Sequence, residues 1–241
     1  MIPRKQIGFS NEENLLWEIS RQLDRAFVVM RTSGAITTTT SSTTTTTTTI
    51  SQICTETPVT IGTQTWDKCN LNVSTYRNGD AIPFASNDTE WSNYISTSTG
   101  AWCYYDYNPA NELVYGKIYN LFAVRDARNL APVGKHIPTT IEWVTLSSFL
   151  GVDAGGKMKQ AGTSLWLSPN TGATNSSGFT GLPGGANSGV SFFGINENGF
   201  WWDSTETVLV NGVVYLSHTD ANLTPAFSAA DGAFSVRCLI D

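Results

Sequence analysis

The apolar positions of this chain change period twice. Over the first thirty residues they recur at Leu16, Ile19, Leu23, Ala26 and Met30. These alternating steps of three and four mark one helix face and a short heptad seam. Leu15 and Phe27 widen the stripe, while Glu18, Arg21, Asp24 and Arg25 lie off it. Ser10 followed by Glu13 has the spacing of a capping box. Two heptads rarely hold a helix in water, so the pattern predicts a helix that packs on its own copies, on a larger partner, or on both. From Thr37 to Thr49 the pattern vanishes, and apart from Ser41 and Ser42 every residue is threonine. Such a run has no apolar face, and β-branching favours extended backbone. It reads either as a disordered linker or as a stalk of several chains side by side. Fully extended, Thr32 to Ile53 would reach ~70 Å at roughly 3.3 Å per residue. The expected division is an anchor helix over 1–32, a threonine-rich linker or stalk over 33–52, and a head over 53–241.

In the head the periods are short. Thr60–Trp66 alternates like a strand with a turn at Gly62, and Leu71–Tyr76 reads as a second strand. Asn78-Gly79-Asp80 is a turn signal. Asn87–Ile95 reads as a short helix with Trp91, Tyr94 and Ile95 on one side, and Ala101–Tyr105 as an aromatic strand. Asn108–Asn111 turns the chain, and Tyr115–Val124 is ambiguous between helix and strand. The strongest helix runs from Thr140 to Leu150. Thr139 and Glu142 form its capping box, Trp143, Leu146, Phe149 and Leu150 its stripe, and Gly151 its stop. From Gly155 onwards turn residues dominate. Phe200–Trp202 and Phe234–Cys238 are the expected last core strands, and Asn211-Gly212 is read as a hairpin turn between Val208–Val210 and Val213–Leu216. The fold class is therefore α+β, with few helices and many loops.

Composition narrows the function. Charged residues are 14% of the 241 and the net charge is −6, which leaves no basic footprint for nucleic acid. No run of about twenty apolar residues occurs, so no membrane insertion is expected. No apolar run follows the basic pair Arg4-Lys5, and no signal peptide is expected. The four cysteines, Cys54, Cys69, Cys103 and Cys238, have no metal-site spacing. Three pairings are open, including Cys54–Cys69 across the head's entrance and Cys103–Cys238 from its middle to its last strand, beside the alternative of buried free thiols.

Little else suggests chemistry. Gly151-x4-Gly156-Lys157 imitates a phosphate loop, but Met158 stands where a magnesium-binding hydroxyl would be needed, and the run follows a helix. His136 and His218 are the only histidines; the first reads as scaffold and the second as a loop residue at a ligand surface. No catalytic residue, metal or cofactor is expected.

Two stretches carry resemblances. Lys5–Leu23, which includes Ile7-Gly8-Phe9-Ser10 and Asn14-Leu15-Leu16-Trp17-Glu18-Ile19-Ser20, resembles the start of many phage structural proteins, where it implies an anchor fused to different displayed domains. In the head, Ile61–Trp66, Asn70–Val73, Tyr76–Asp80, Ala101–Tyr105, Tyr115-Gly116-Lys117, Glu142-Trp143, Gly155–Lys159, Asn170–Asn175, Leu182–Gly185, Trp201-Trp202 and Phe234–Cys238 follow one another as in the Fibrobacter succinogenes major paralogous domain (FISUMP) family. That resemblance implies a C-type-lectin-like scaffold whose loops bind ligands. Lys135 stands where the family usually has Trp, Leu121-Phe122 replace Trp-Tyr, and Thr207–Gly232 fits no family pattern. The Glu-Pro-Asn and Trp-Asn-Asp calcium motifs of sugar-binding lectins are missing. Formylglycine-generating enzymes share the architecture, but no close cysteine pair supports their chemistry.

The candidate ligand-contacting residues are Asn196, Asn198, Trp202, Asp203, Glu206, His218 and Asp220. The Trp201-Trp202 pair could stack on sugars, though it more readily fills a core. The expected function is a phage virion protein, a head or tail fibre or decoration subunit. It would form a homo-oligomer, a trimer rather than a dimer, and dock on a capsid or tail protein through its amino-terminal helix. Its lectin-like head would bind host-surface glycan. A bacterial surface adhesin and a ligand-free spacer are the alternatives.

Overall fold

The computed structural model describes residues 57–205 and 211–241. The anchor residues Leu16, Ile19, Leu23, Ala26 and Met30, the threonine tract, Cys54 and Glu206 therefore lie outside the described residues. The head opens with the expected hairpin, β1 (Val59–Ile61) and β2 (Gln64–Trp66), turned at Gly62. Strand β2 pairs with the last strand, β12 (Leu239–Ile240), through Leu239 opposite Trp66, and β12 pairs with β5 (Lys135–His136). Beginning and end of the head thus share one four-stranded sheet.

A larger sheet runs β10 (Thr224–Ser228), β9 (Asn211–Ser217), β8 (Asn198–Trp202), β6 (Gly184–Asn187), β11 (Ala233–Phe234), β4 (Ile118–Asn120), β3 (Trp102–Cys103), with β7 (Phe192–Ile195) joined to β6. Its pairings are antiparallel except β6 with β8. Helices α1 (Asp88–Ser96), α2 (Glu112–Tyr115), α3 (Leu121–Val124), α4 (Thr140–Leu150) and α5 (Ala154–Met158) complete the described elements.

Local chemistry sets several boundaries. Asn87 caps α1 by accepting from the Glu90 amide. Thr139 and Glu142 make the expected reciprocal box at α4, and Gly151 ends it with positive φ. Tyr115–Val124, ambiguous by pattern, is both: α2 ends, β4 crosses, and the buried Asn120 side chain starts α3 by accepting from Ala123 N at 2.9 Å. Three expectations need correction. Leu71–Tyr76 forms no strand ladder, because the Tyr119 hydroxyl takes the place of a partner strand, accepting from Val73 N and donating to Val73 O. Asn211-Gly212 opens β9 instead of turning, with Gly212 paired to Phe227. The Gly155 region contains helix α5 and is largely buried.

The adjacent tryptophans of β8 enter opposite layers, because successive strand residues face opposite sides. Trp201 joins Trp66, Trp143, Trp166 and Phe179 between the large sheet and α4. Trp202 joins Tyr119, Val213, Phe234 and Val236 on the other side, with its Nε1 donating to Tyr119 O at 2.7 Å. Burying each such ring contributes roughly 2–3 kcal/mol. Between the layers sits Arg237, wholly buried. It donates to Asp67 O at 3.0 Å, Phe179 O at 2.7 Å and Asn70 Oδ1 at 2.9 Å. Asn70 Oδ1 also accepts from Trp201 Nε1 at 2.8 Å, and its amide donates to Tyr115 O and Ser235 Oγ.

Cys103 and Cys238 are free, buried thiols, so they do not form the cross-head disulfide; burial pushes both pKa values up, Cys238 to about 12. Cys69 is disulfide-bonded. Lys135, standing where the family usually has Trp, pairs with Asp67 at 2.8 Å.

Asn70→Ala removes the acceptor shared by a guanidinium and an indole. It should cost about 3–5 kcal/mol, since a buried charge loses a partner; denaturant unfolding of the full chain measures this, and a loss under about 1 kcal/mol would contradict the hub assignment.

Candidate functional site

The residues singled out from the sequence separate into three environments. Trp202 is completely buried and belongs to the core, not to a ligand surface. Asp203 is also buried: its carboxylate accepts from the Thr140 hydroxyl and from Thr205 N, which ties the end of β8 to the start of α4. Both were singled out because an aromatic pair followed by an acid looks like a sugar site; strand alternation and the helix start account for them instead. Asn196, Asn198, His218 and Asp220 gather at the opposite ends of β8 and β9.

That gathering is built by the chain just before it. The Lys159 amine, fully buried, donates to three main-chain carbonyls: Thr171 O at 2.9 Å, Ser217 O at 2.7 Å and Asp220 O at 2.7 Å. Burial pushes its pKa down to about 8, with nearby Asp220 acting the other way. Gly155 and Gly156 admit the same loops. A Cβ on Gly155 would run into the Asn222 carbonyl, and one on Gly156 into the Gly172 carbonyl. Gly156 N also donates to Ala221 O at 2.9 Å. The Gly-Gly-Lys-Met-Lys run is thus a clamp holding 168–172 against 217–222. Sequence reading gave this run to the family pattern and missed its role; a lysine two residues past a glycine pair, in an otherwise apolar turn of helix, was the available signal.

His218 is held by its backbone, donating from N to Glu197 O at 2.8 Å and accepting from Thr171 N, while its Nδ1 lies 3.1 Å from Ser168 O. Asp220 caps its own turn by accepting from Asn222 N. Asn196, at positive φ, accepts from the Tyr115 hydroxyl at 2.9 Å.

Next to this cluster one sheet face changes character residue by residue. Asn198 pairs with Ser217, Phe200 with Tyr215, and Trp202 with Val213. The last pair is core, and the middle pair is half-buried. Phe200 and Tyr215 rings lie 5.5 Å apart, and Phe193 of β7 lies 5.4 Å from Phe200 with 39% of its surface exposed. A row of aromatic rings therefore emerges from the core toward Asn198. The period of two in β8 was visible in the sequence, but not the placing of β7 beside it.

His136 is engaged on both ring nitrogens, 2.7 Å from Asp241 Oδ1 and 2.7 Å from Glu142 Oε1. Burial opposes its charge, yet the two carboxylates outweigh this and raise its pKa above 6.5. Burial likewise opposes ionisation of Glu142, but hydrogen bonds from Thr139 and His136 lower its pKa below 4.5. This geometry suits a structural tie, with no nitrogen open for proton transfer. Among the described residues, no cluster of three or more His, Cys, Asp or Glu is placed to hold a metal ion, and no helix is long and apolar enough to cross a membrane.

A mixed α+β head with loops pinned by a buried cation and a half-exposed aromatic row has the form of a binding or display module. The chain belongs to the Fibrobacter succinogenes major domain family, whose model matches residues 59–239, from the first residue of β1 into β12. No curated protein and no solved structure matches it.

Two outcomes follow from the clamp and the histidine. Lys159→Met leaves three buried carbonyls without their donor; we expect a loss of about 3 kcal/mol and faster proteolysis within 168–172 and 217–222. Unchanged cleavage there would count against the clamp. For His136 the folded pKa is raised, so its stabilisation is fully present below pH 6.5 and is lost as pH rises through the folded value. Thermal unfolding of the full chain should therefore weaken over that range, and His136→Gln should flatten the dependence.

Proposed function

We propose that this chain is a phage virion structural protein, a head or tail fibre or decoration subunit, whose head attaches to host-surface glycan. It acts by binding, without catalysis or cofactor. The observation that carries the binding reading is the row Phe193, Phe200 and Tyr215 beside Asn198. Aromatic faces take the apolar side of a sugar ring, and an amide offers both donor and acceptor to its hydroxyls. The lectin-like reading is supported by the pairing of the head's first hairpin with its last strand. The virion reading rests on the anchor-like residues 5–23 and the threonine tract that separates them from the head. The heptad seam favours three copies, docked through the amino-terminal helix on a capsid or tail protein.

The Cys69 disulfide suits a head that works outside a reducing compartment. It also fits the second reading, a bacterial surface adhesin. Fractionation of an expressing bacterium separates the two, since only the adhesin would sit in the cell envelope without particles.

Mass spectrometry of purified particles should find the chain, and its absence would remove the virion reading. On host-polysaccharide arrays the full chain should bind. Phe193→Ser and Asn198→Ala should each weaken binding about tenfold, or ~1.4 kcal/mol, without moving the unfolding midpoint. Undiminished binding by both variants would discard this surface.

A further inference from the structure

The other side of the same sheet carries a second surface. Helix α4 buries Trp143 and Leu146, but it also exposes Ile141 (77%), Val144 and Phe149. On the edge strand β10, Phe227 is 71% exposed, and between helix and strand lies a cavity of about 180 Å³ lined by Val144, Ser147, Leu223, Pro225, Ala226 and Phe227. Helix α4 has one charged residue, Glu142, which is tied to His136, and β10 has none. Scattered apolar residues need no partner, but an uncharged apolar face across two adjacent elements does.

We infer that this face packs against a second copy of the head. Three features select that occupant. The chain carries a net charge of −6, so copies repel over most of their surface and approach best where neither presents a charge. The 56 residues preceding the described chain enter the head through the β1–β2 hairpin, and that hairpin lies on α4. Gln64 Nε2 donates to Glu142 O at 3.0 Å, Trp66 and Trp143 rings are 4.8 Å apart, and the Phe149 ring covers the Gly62 turn. Copies joined upstream are therefore delivered to the head on this side. Finally, the aromatic row lies on the opposite sheet face, so pairing here leaves it accessible. The inference rests on the oligomer reading above.

The test is hydroxyl-radical footprinting of the full chain, read residue by residue. It compares the native oligomer with a seam variant, Leu16→Asp/Ile19→Asp/Leu23→Asp. In the oligomer, Ile141, Val144 and Phe227 should react several-fold more slowly than in the variant, while Phe193 reacts equally in both. Phe227→Asp in the native chain should restore the reactivity of Ile141 and Val144. An oligomer without this protection would overturn the inference and leave the seam intact. A native chain that is monomeric at every concentration would overturn both. Protection already present in the seam variant would mean that the chain's own residues cover the face, and would also overturn it.

Discussion

The head depends on one buried guanidinium. Arg237 lies where the two sheets and the two large core layers meet, and its donors reach main-chain carbonyls of Asp67 and Phe179 as well as the Asn70 amide oxygen. Burying that charge would cost several kcal/mol without compensation. Here each acceptor belongs to a segment that forms little regular structure, so satisfying the charge fixes their paths. Asn70 passes the constraint on, because it also receives the Trp201 indole and donates to Tyr115 O. A head with many short strands gains through this hub the long-range order that ladders of two or three residues supply poorly.

From the hub outward, strand alternation separates the two sides of the large sheet. Trp201 anchors the layer against α4, and Trp202 the layer around Tyr119 and Phe234. The same period that sends these rings apart sends Phe200 and Tyr215 to the side away from α4. The aromatic row and the apolar α4–β10 face are thus consequences of one strand register, and a slip of one residue would exchange them.

Sequence was most legible where a short-range rule decides. The capping box of Thr139 and Glu142 and the stop at Gly151 bound α4 at Thr140 and Leu150, as its pattern indicates. Asn87 sets the start of α1 in the same way. It was least legible where a partner distant in sequence decides. Strand β6 is Gly-Gly-Ala-Asn, with no β-branched residue to announce it; its glycines are required because the rings of Tyr105 and Tyr115 lie against it. Leu71–Tyr76 has a strand's composition, but a tyrosine hydroxyl took the ladder's place. At the site, the loops bearing His218 and Asp220 were legible as loops, whereas Trp202 and Asp203 were misread because a buried pair and a surface pair have the same letters.

The clamp at Lys159 bears on what kind of surface this head presents. All three of its acceptors are main-chain carbonyls, those of Thr171, Ser217 and Asp220. The amine therefore fixes the path of both loops while asking nothing of their side chains. Arg237 acts similarly on Asp67 and Phe179. An ion held by side-chain carboxylates would commit those positions to coordination; a covalently attached cation bonded to backbone does not. The exposed side chains of 168–172 and 217–222 can consequently change with the ligand while the loop geometry is kept, which is the property a scaffold needs if its function is to present different surfaces on one fold.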